Sequence, residues 1–467
     1  MSRQLDLERV YRAAPIWTQN VLASLQGWRL RRARFGGGYA EVERAVELRW
    51  ALQGDALLSL QARRLGALLA AAEASSFWRR RFAVWGLNTR AADPFTELRK
   101  LPILTKAEVQ SNAELIVNPT YDIRSLRTGH TSGTTGAGLI LRETPEADRE
   151  RWAVWWRFRK QFGLTHDIRS GHFGGRSVVP IEQVTPPYWR YNRASQQLLV
   201  SAYHLSESTV VWYWKALRDF GVEWLHGYPS FLALFAALCR AKNLPRLESV
   251  RWVTTAAENL LASQRNVIEE YLDMPVRQHY GMAESVANIS ERTDGRLVVD
   301  EDFSLVEFLA PDDEGTSRII GTNWSNPAFP LFRYDTGDTA SVEPDQREAV
   351  GIWREVGALD GRCEDYVMLR NGARIGRLDH MFKDLVNIVA AQIYQHTPGE
   401  IVLRVVKGSR YDECREEVRL LREARMRLGA ETCISVEYVD TIEKTRSGKL
   451  RFVVSDVASG KLERVTS

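Results

Sequence analysis

The sequence predicts an α/β protein in which a large N-terminal domain, beginning with helices, is followed by a small, mobile α+β C-terminal domain. Leucines recur at helical spacing over residues 57–69, short apolar runs alternate with helical stretches after residue 100, and the pattern changes near Gly361. Alternating strands and helices favour a mostly parallel sheet covered by helices. We therefore expect a helical segment (1–100), an α/β core (101–361) and a C-terminal lid domain (362–467).

Several elements can be assigned within this outline. Gly36, Gly37 and Gly38 are expected to form a turn between helices, because the Lys-Ser or Lys-Thr of a phosphate-binding P-loop does not follow them. The predicted strands are 223–228, 250–255, 401–406 and 433–439. The predicted helices are 229–239, 263–272, 381–394 and 415–428.

Length and composition indicate an ordinary globular protein. The 467 residues correspond to two or three domains at roughly 100–200 residues each. A net charge of +4 is too small over this length to indicate nucleic acid as a partner. The four cysteines form no Cys-x-x-Cys pair and the eight histidines are scattered, so the sequence predicts neither a disulfide framework nor a zinc site.

A basic run occupies residues 28–34. Such a run either meets an anionic surface such as a membrane leaflet or forms a solvated helix face, and we expect the solvated face. No apolar stretch approaches the ~20 residues that a membrane span needs, and the N-terminus lacks the features of a signal peptide. The sequence therefore predicts a cytoplasmic protein without membrane association, and it indicates no oligomeric state.

The strongest local signal is a run of small hydroxyl residues and glycines at positions 131–136. In a loop at the carboxyl end of a strand, the backbone N–H groups and hydroxyls of such a run can contact phosphate oxygens. A flexible linker can have the same composition. The residues of the run are Thr131, Ser132, Gly133, Thr134, Thr135 and Gly136.

Two further motifs combine glycine with a carboxylate. Tyr280, Gly281 and Glu284 offer a ring that can stack on a base, close backbone approach and a ligand for Mg²⁺. Asp338 follows Gly337 in a Thr-Gly-Asp sequence, which predicts a carboxylate after a tight turn, where it can accept bonds from two ribose hydroxyls. Taken singly, the first motif resembles any strand end and the second a plain β-turn.

Two motifs belong to the last hundred residues. Lys449 follows a Ser-Gly pair, which makes it a mobile point charge suited to a carboxylate or phosphate oxygen. A basic tail is the alternative interpretation of this lysine. The other motif, Gly361–Asp365, lies where the sequence pattern changes.

Together and in this order, the five motifs resemble the adenylate-forming superfamily of acyl-CoA synthetases, adenylation domains and luciferases. The likeness is closest to the phenylacetate–CoA ligase-like and CapK-like branch, and it spans roughly residues 55–455. The shared features are an Asp-Pro…Leu-Pro…Thr-Lys entry at 93–106, a Gly-Tyr-Pro-Ser turn at 227–230, a Pro-Leu-x-Arg-Tyr-x-Thr-Gly-Asp stretch at 330–338, and Gln392 with Gln395.

The resemblance implies an ATP site built from most of these motifs. The loop 131–136 would hold the phosphates. Tyr280 and Gly281 would lie against the base, with Ala257 and Glu258 bordering the adenine. The other implied nucleotide contacts are Asp338, for the ribose hydroxyls, and Arg362, near the ribose at the domain boundary.

The resemblance also implies the catalytic groups. Glu284 would bind Mg²⁺, and Lys449 would reach the carboxylate and the α-phosphate during adenylation. Glu364 would be the hinge, where Asp or Lys is more usual in the family. The phosphate loop departs from the family because it continues without the usual lysine, for which Arg142 is a candidate replacement.

The implied activity is ATP-dependent conversion of a carboxylic acid to an acyl-adenylate with release of pyrophosphate, followed by transfer to CoA. One alternative is an amide- or ester-forming ligase whose acceptor is an amine, such as an amino sugar in surface-polysaccharide biosynthesis. A catalytically silent nucleotide-binding scaffold is another, but it gives no reason to keep Glu284, Asp338 and Lys449 together.

The expected small-molecule partners are the carboxylic acid and either CoA or an amine acceptor. The acid is expected to contact His204, His226 and Tyr228. The aromatic content of these segments indicates an aromatic or apolar acid, although aromatic residues are as typical of an ordinary core.

Overall fold

The computed structural model describes residues 10–130, 139–174, 178–180, 182–309, 316–360, 367–370, 374–375, 378, 388–407, 411–429, 431–442 and 453–457. Its helices are α1 (Ile16–Phe35), α2 (Tyr39–Arg49), α3 (Gly54–Ala72), α4 (Ser76–Val84), α5 (Pro94–Arg99), α6 (Lys106–Ile116), α7 (Pro145–Lys160), α8 (Val210–Phe220), α9 (Pro229–Ala241), α10 (Ala262–Leu272), α11 (Pro344–Arg347) and α12 (Glu413–Leu428).

The described strands all lie from residue 127 onward. They are β1 (Arg127–His130), β2 (Ile140–Glu143), β3 (Ser170–Phe173), β4 (Trp189–Asn192), β5 (Gln197–Val200), β6 (Trp224–Gly227), β7 (Trp252–Ala256), β8 (Val276–Gly281), β9 (Asn288–Glu291), β10 (Leu297–Val299), β11 (Leu305–Phe308), β12 (Ser317–Thr322), β13 (Tyr334–Ser341), β14 (Glu355–Val356), β15 (Ala358–Asp360), β16 (Val367–Met368), β17 (Arg374–Ile375), β18 (Ile388–Gln395), β19 (Glu400–Lys407), β20 (Cys433–Tyr438) and β21 (Val453–Ser455).

The N-terminal helices follow local sequence signals. Helix α3 buries Leu57, Leu65, Leu68 and Leu69, so the helical leucine periodicity predicted from the sequence is confirmed. Helix α6 begins with a capping box, in which the Thr105 hydroxyl accepts the N–H of residue 108 and the Glu108 carboxylate accepts the N–H of residue 105. The predicted glycine turn is also confirmed, because α1 ends and α2 begins on either side of residues 36–38.

The central sheet has the strand order β14-β10-β9-β8-β7-β6-β3-β5-β4. Strands β5, β3, β6, β7 and β8 are parallel neighbours. The flanking strands β4, β9, β10 and β14 run antiparallel to their neighbours. The sheet is therefore mixed. Its centre is parallel, as expected, but the strands on either side of this centre are antiparallel.

The two faces of the parallel centre are covered by different helices. Successive side chains of a strand point to opposite faces. On one face, Phe173, Leu225 and Val253 pack in one core with α8, α9 and α10. On the other face, Trp224 packs against α7 through Trp156. The helices thus enclose the sheet as a three-layered α/β structure.

Besides the two-stranded pairs β1-β2 and β16-β17, two four-stranded sheets complete the described fold. The first has the order β11-β12-β13-β15, and the second, near the C-terminus, has the order β20-β19-β18-β21. Helix α12 packs on the second sheet through Leu420, Ala424 and Leu428. Tyr203 and Leu234 of the large domain pack against this same core, so the C-terminal unit contacts the large domain.

Most predicted elements agree with the structure, with one clear exception. The helix predicted over 381–394 is wrong for its second half, because residues 388–395 form strand β18. Strand β18 is paired on both edges and has buried Ala391, Gln392 and Ile393 in succession. A buried central strand lacks the alternation that distinguishes a strand from a helix in sequence.

Candidate active site

The ends of the parallel strands lie along one edge of the central sheet. Ligands of α/β proteins bind at the carboxyl ends of such strands, so this edge is the candidate active site. The residues predicted to bind the nucleotide follow these ends closely in the chain. Strands β3, β6, β7 and β8 end at Phe173, Gly227, Ala256 and Gly281.

The structure brings two predicted nucleotide-binding residues into direct contact. The hydroxyl of Tyr280, on β8, donates a hydrogen bond of 2.9 Å to Oδ2 of Asp338, on β13, across 58 residues of sequence. Both side chains keep part of their surface accessible. An aromatic ring and a carboxylate in contact at the same strand end match the groups needed beside a base and a ribose.

Asp338 is positioned by a bulge rather than by the tight turn predicted from the sequence. The pairing of β12 with β13 shifts opposite Ile319, and Gly337 adopts a left-handed φ of 77°. The Thr336 hydroxyl donates to the Ile319 carbonyl oxygen at 2.8 Å and accepts the Asp338 N–H at 3.1 Å. A bulge re-aims a side chain without ending the strand, which is why a turn-forming sequence lies inside β13.

Glu284 is buried just after β8. Its Oε1 accepts a bond of 3.4 Å from the Tyr334 hydroxyl, and its backbone oxygen accepts one of 3.1 Å from Asn323 Nδ2. No cluster of three metal-ligating side chains occurs within the described residues. Mg²⁺ in nucleotide enzymes is typically held by one or two carboxylates together with substrate phosphates. A single carboxylate here fits that donor set.

Glu258 holds a turn at the same edge. Its Oε2 accepts hydrogen bonds from the Ser230 hydroxyl at 2.6 Å and from the Ser230 N–H at 3.3 Å, in the first turn of α9. A carboxylate there is also stabilised by the helix dipole. The preceding residue, Ala257, is exposed with a left-handed φ of 73°. Such conformations are uncommon for alanine and are typical of functional loops.

Strand β6 approaches β3 unusually closely at the turn that Glu258 holds. A Cβ atom added to Gly227 would lie 2.1 Å from the Phe173 carbonyl oxygen. That same oxygen accepts the Tyr228 N–H at 2.8 Å. Glycine is therefore required at this position, and it fixes where Tyr228 leaves the sheet.

The side of the sheet that faces α7 carries a row of polar residues. His172, His226 and Thr254 are paired neighbours on β3, β6 and β7. The Thr254 hydroxyl lies 2.8 Å from His226 Nδ1 and accepts the Trp224 indole N–H at 2.9 Å. Both histidines keep part of their surface accessible, and we call the region around this polar row the histidine recess.

Burial keeps these imidazoles neutral. It lowers the pKa of His172 to about 3 and that of His279 to about 4, and it lowers the pKa of His226 well below its usual range. The positive charge of Arg159 lowers all three pKa values further. His279 Nε2 has no hydrogen-bond partner within the described residues. Neutral imidazoles at this site can both donate and accept hydrogen bonds.

Arg159 is an unusual buried cation. Its side chain, 8% exposed, lies over the rings of Trp156 and Trp224, with the guanidinium carbon 5.1 and 5.4 Å from the ring centroids. No carboxylate forms an ion pair with it in the part of the chain that the structure describes. Burial lowers the pKa of Arg159 to about 10, so the side chain stays charged at neutral pH.

The other predicted acid-binding residues are less directly connected to the recess. His204 stacks on Tyr188 with centroids 5.1 Å apart, and its Nδ1 lies 2.7 Å from the Ser201 hydroxyl. Tyr228 lies near enough to Tyr203 for the two hydroxyls to interact electrostatically. The structure thus places His226 in the recess and His204 in a separate group of contacts.

Several predicted residues lie outside the described part of the chain. They are the phosphate loop 131–136, Arg362, the hinge Glu364 and Lys449. The loop is bracketed by the described hairpin of β1 and β2. Arg142, the candidate replacement for the missing loop lysine, lies on β2 and donates to the Thr128 hydroxyl of β1.

Sequence reasoning missed His172, Thr254, His279 and Arg159. One signal was available, because β3 and β6 each carry a histidine at the residue before the last of the strand. Residues at equal positions on adjacent parallel strands become neighbours, so the two histidines could have been paired. Arg159 gave no such signal, since it is one of several arginines in α7.

Comparison with known proteins defines the class to which this fold and site correspond. Residues 367–456 match the CapK C-terminal domain family. Two solved structures of 2-hydroxyisobutyryl-CoA ligase are similar in fold. The one in the thioesterification state has a TM-score of 0.53 at 16% identity, covering 91% of each chain. The postadenylation state has a TM-score of 0.50 at 15% identity, covering 85% of this chain and 89% of that one. The fold is therefore that of an adenylate-forming CoA ligase.

Two relatives are found at the level of sequence. Protein CapK of Staphylococcus aureus is 24% identical over 459 residues, which cover 97% of this chain and 100% of that protein. Phenylacetate-coenzyme A ligase of Escherichia coli strain K12 is 24% identical over 337 residues, covering 68% of this chain and 73% of that protein. The predicted resemblance to the phenylacetate–CoA ligase-like and CapK-like branch is thus confirmed, and with it the predicted class, an adenylate-forming ligase.

Proposed function

We propose that this protein activates a carboxylic acid with ATP and transfers the acyl group to CoA. The observation that carries the proposal is the contact between Tyr280 and Asp338, next to the buried carboxylate of Glu284 at the carboxyl edge of the sheet. In this proposal Tyr280 supplies a ring, Asp338 a ribose acceptor and Glu284 a metal ligand, and these three residues come from two sequence motifs. The CoA ligases among the relatives and structural neighbours support CoA as the acceptor.

The proposed first step joins the acid to AMP. The carboxylate oxygen attacks the α-phosphorus of ATP, the bond to the bridging oxygen breaks, and pyrophosphate leaves. Glu284 would hold Mg²⁺, which offsets phosphate charge, and Lys449 would approach the carboxylate and α-phosphate. In the second step the CoA thiolate attacks the acyl carbon and AMP leaves. Rotation of the C-terminal domain about Glu364 would admit the second substrate.

The histidine recess is the proposed site for the acid. It begins below the strand ends at which the nucleotide would bind and continues toward Trp224 and Arg159. Trp224 lies three residues before Gly227 on β6, about 10 Å below the strand end, and it is buried there together with Arg159. Neutral imidazoles and an unpaired guanidinium favour an acid whose far end carries oxygen atoms or a second negative charge. This differs from the aromatic or apolar acid expected from the sequence.

The test of activity is a screen of carboxylic acids for ATP-dependent pyrophosphate release, pairing each monocarboxylic acid with a dicarboxylic or hydroxylated acid of equal length. Addition of CoA, or of an amine, with product analysis by mass spectrometry then identifies the acceptor. Pyrophosphate release with thioester formation is the expected result. Formation of an amide would show that the acceptor is an amine and not CoA. ATP binding without pyrophosphate release for any acid would favour the silent scaffold.

The Asp338→Ala variant tests the nucleotide site. Loss of charge-assisted bonds to the ribose, roughly 1.5–3 kcal/mol, is expected to weaken ATP binding by about 10- to 100-fold. Isothermal titration with ATP measures it, with Asp219→Ala, which removes an exposed carboxylate paired to Arg218 on α8, as the control. Equal ATP affinity of the wild type and Asp338→Ala would contradict the assignment.

A further inference from the structure

Helix α1 is packed with its polar side toward the protein. The Tyr191 N–H donates to Asn20 Oδ1 at 2.8 Å, and the Ser24 hydroxyl accepts the Arg193 N–H at 3.0 Å. Arg31 forms an ion pair of 2.7 Å with Asp167. The side of α1 that meets the body of the protein is therefore built from hydrogen bonds and an ion pair.

The opposite side of α1 is apolar and faces solvent. Trp17, Leu25 and Trp28 are 70%, 58% and 56% exposed, and Val21 and Leu22 are also exposed. With 3.6 residues per turn, these five positions lie on one side of the helix. A water-facing helix normally shows the reverse arrangement, with its apolar stripe toward the core. We call this side the α1 apolar face.

The charge that α1 itself carries is entirely positive, and nearby Arg127 and Arg149 are paired with Asp148 and Glu146. The 20 residues of α1 include four arginines and no acidic residue. Arg29 and Arg32 are exposed at the same end of the helix as Trp28, and a groove of about 670 Å³ there is lined by Arg29, Arg32, Arg127 and Arg149. A partner that complements this surface must present apolar groups to the exposed tryptophans and leucines and negative charges to the arginines.

From this combination we infer that α1 docks on the surface of an anionic lipid bilayer. Exposed tryptophans and leucines suit a helix that lies in the interface, and Arg29 and Arg32, which lie on the same side of α1, can extend their charged ends to the lipid phosphates. Trp17 and Trp28 enter the headgroup region, while Arg29 and Arg32 contact lipid phosphates. The helix is about 30 Å long, enough for a stable interfacial contact.

The other occupants fit less well. A second copy of the chain would bring the positively charged ends of two α1 helices together, at a cost in repulsion. No helix in the described part of the chain is long and apolar enough to cross a bilayer, and interfacial docking requires none. The inference replaces the solvated helix face expected for residues 28–34, and it does not depend on the proposed ligase activity.

The test is co-sedimentation of the full-length protein with vesicles of phosphatidylcholine, with and without phosphatidylglycerol. Binding to the anionic vesicles alone is expected. The double variants Trp17→Ser/Trp28→Ser and Arg29→Gln/Arg32→Gln should each reduce binding by about tenfold or more, at roughly 1 kcal/mol per arginine near the surface. All four positions are exposed, and thermal melts verify folding.

Trp85→Ser is the matched control, because Trp85 is an exposed tryptophan at the end of α4 and not part of the α1 apolar face. It is expected to bind as the wild type does. Absence of binding to anionic vesicles, or equal binding by the Trp17→Ser/Trp28→Ser variant, would overturn the inference. Sedimentation velocity showing a dimer that this variant loses would assign the face to a second copy instead.

Discussion

The two faces of the central sheet have opposite chemistry although the same strands form both. Toward α8, α9 and α10, the parallel strands β5, β3, β6, β7 and β8 each contribute an apolar side chain to one continuous core. Toward α7, the same strands contribute His172, His226 and Thr254, and α7 adds Arg159. Parallel sheets are normally covered by helices on both faces, and here the α7 side combines an apolar cluster around Trp156 and Trp224 with this polar row.

The largest expected effect comes from the apolar face. Phe235 of α9 is fully buried there, so Phe235→Ala removes packing and leaves a cavity. The free energy of unfolding should fall by about 3–5 kcal/mol, measured by urea unfolding. The ATP affinity of the folded protein is expected to be unchanged. A loss below ~1 kcal/mol would mean that this face does not hold the sheet.

The buried histidines on the α7 side of the sheet make the free energy of unfolding depend on pH. Because the pKa of His279 is about 4 in the folded protein and near 6.5 when unfolded, the unfolded chain takes up a proton that the folded chain does not. The contribution of His279 to the free energy of unfolding is therefore fully present above about pH 6.5. It is lost as pH falls toward 4, by up to about 1.4 kcal/mol per pH unit.

Urea unfolding at about pH 7 and about pH 5 measures this dependence for wild type and His279→Gln. The variant should show a shallower loss, with the remainder due to His172 and His226. Cys239, on the apolar face, gives the contrast, because burial raises its pKa to about 12 and it does not titrate in this range. Equal slopes for both proteins would show that His279 is not a source of the pH dependence.

A smaller effect, on activity alone, is expected from His226→Leu. Thr254 still accepts the Trp224 N–H and loses only its contact with His226, so the melting temperature should change little. Loss of one hydrogen-bonding group in the recess should raise KM for the preferred acid about tenfold, equivalent to ~1.4 kcal/mol. An unchanged KM would remove His226 from the acid site.

A small gain in stability is expected for Arg159→Met. Removing a buried charge that has no carboxylate partner should raise the free energy of unfolding by about 1 kcal/mol, while preference for acids with a second negative charge declines. Arg157→Met is the control, because Arg157 pairs with Asp300 and Asp302 and its loss should cost about 3–5 kcal/mol. Similar losses for both would mean that Arg159 is structural.

The contact between Tyr280 and Asp338 was easier to anticipate from the sequence than the histidine recess. Tyr280 and Asp338 stand in motifs whose residue types reveal their chemistry, and they meet in the structure. The histidine recess depends on strand register, which decides that His172 and His226 are neighbours. Register is set by pairing between distant segments and cannot be read from either strand alone.

The same limit explains the two main differences in fold. Helix propensity and an apolar run made residues 388–394 look helical, but pairing on both edges made them a strand. Helix α1 was correctly predicted to be helical, but its orientation was not. Only the positions of Tyr191 and Asp167 reveal that the polar side faces inward. Propensity is local, whereas burial depends on tertiary contacts.

The close approach of β6 to β3 at Gly227 has a consequence for how such a protein can evolve. Any side chain at that position would collide with the Phe173 carbonyl oxygen, so selection cannot use it to reshape the recess. Residues that point to the opposite face of the sheet, such as His172 and His226, can be substituted while the spacing between the strands stays constant. Lineages with this backbone can therefore diverge repeatedly in the acids that they accept without a change in architecture.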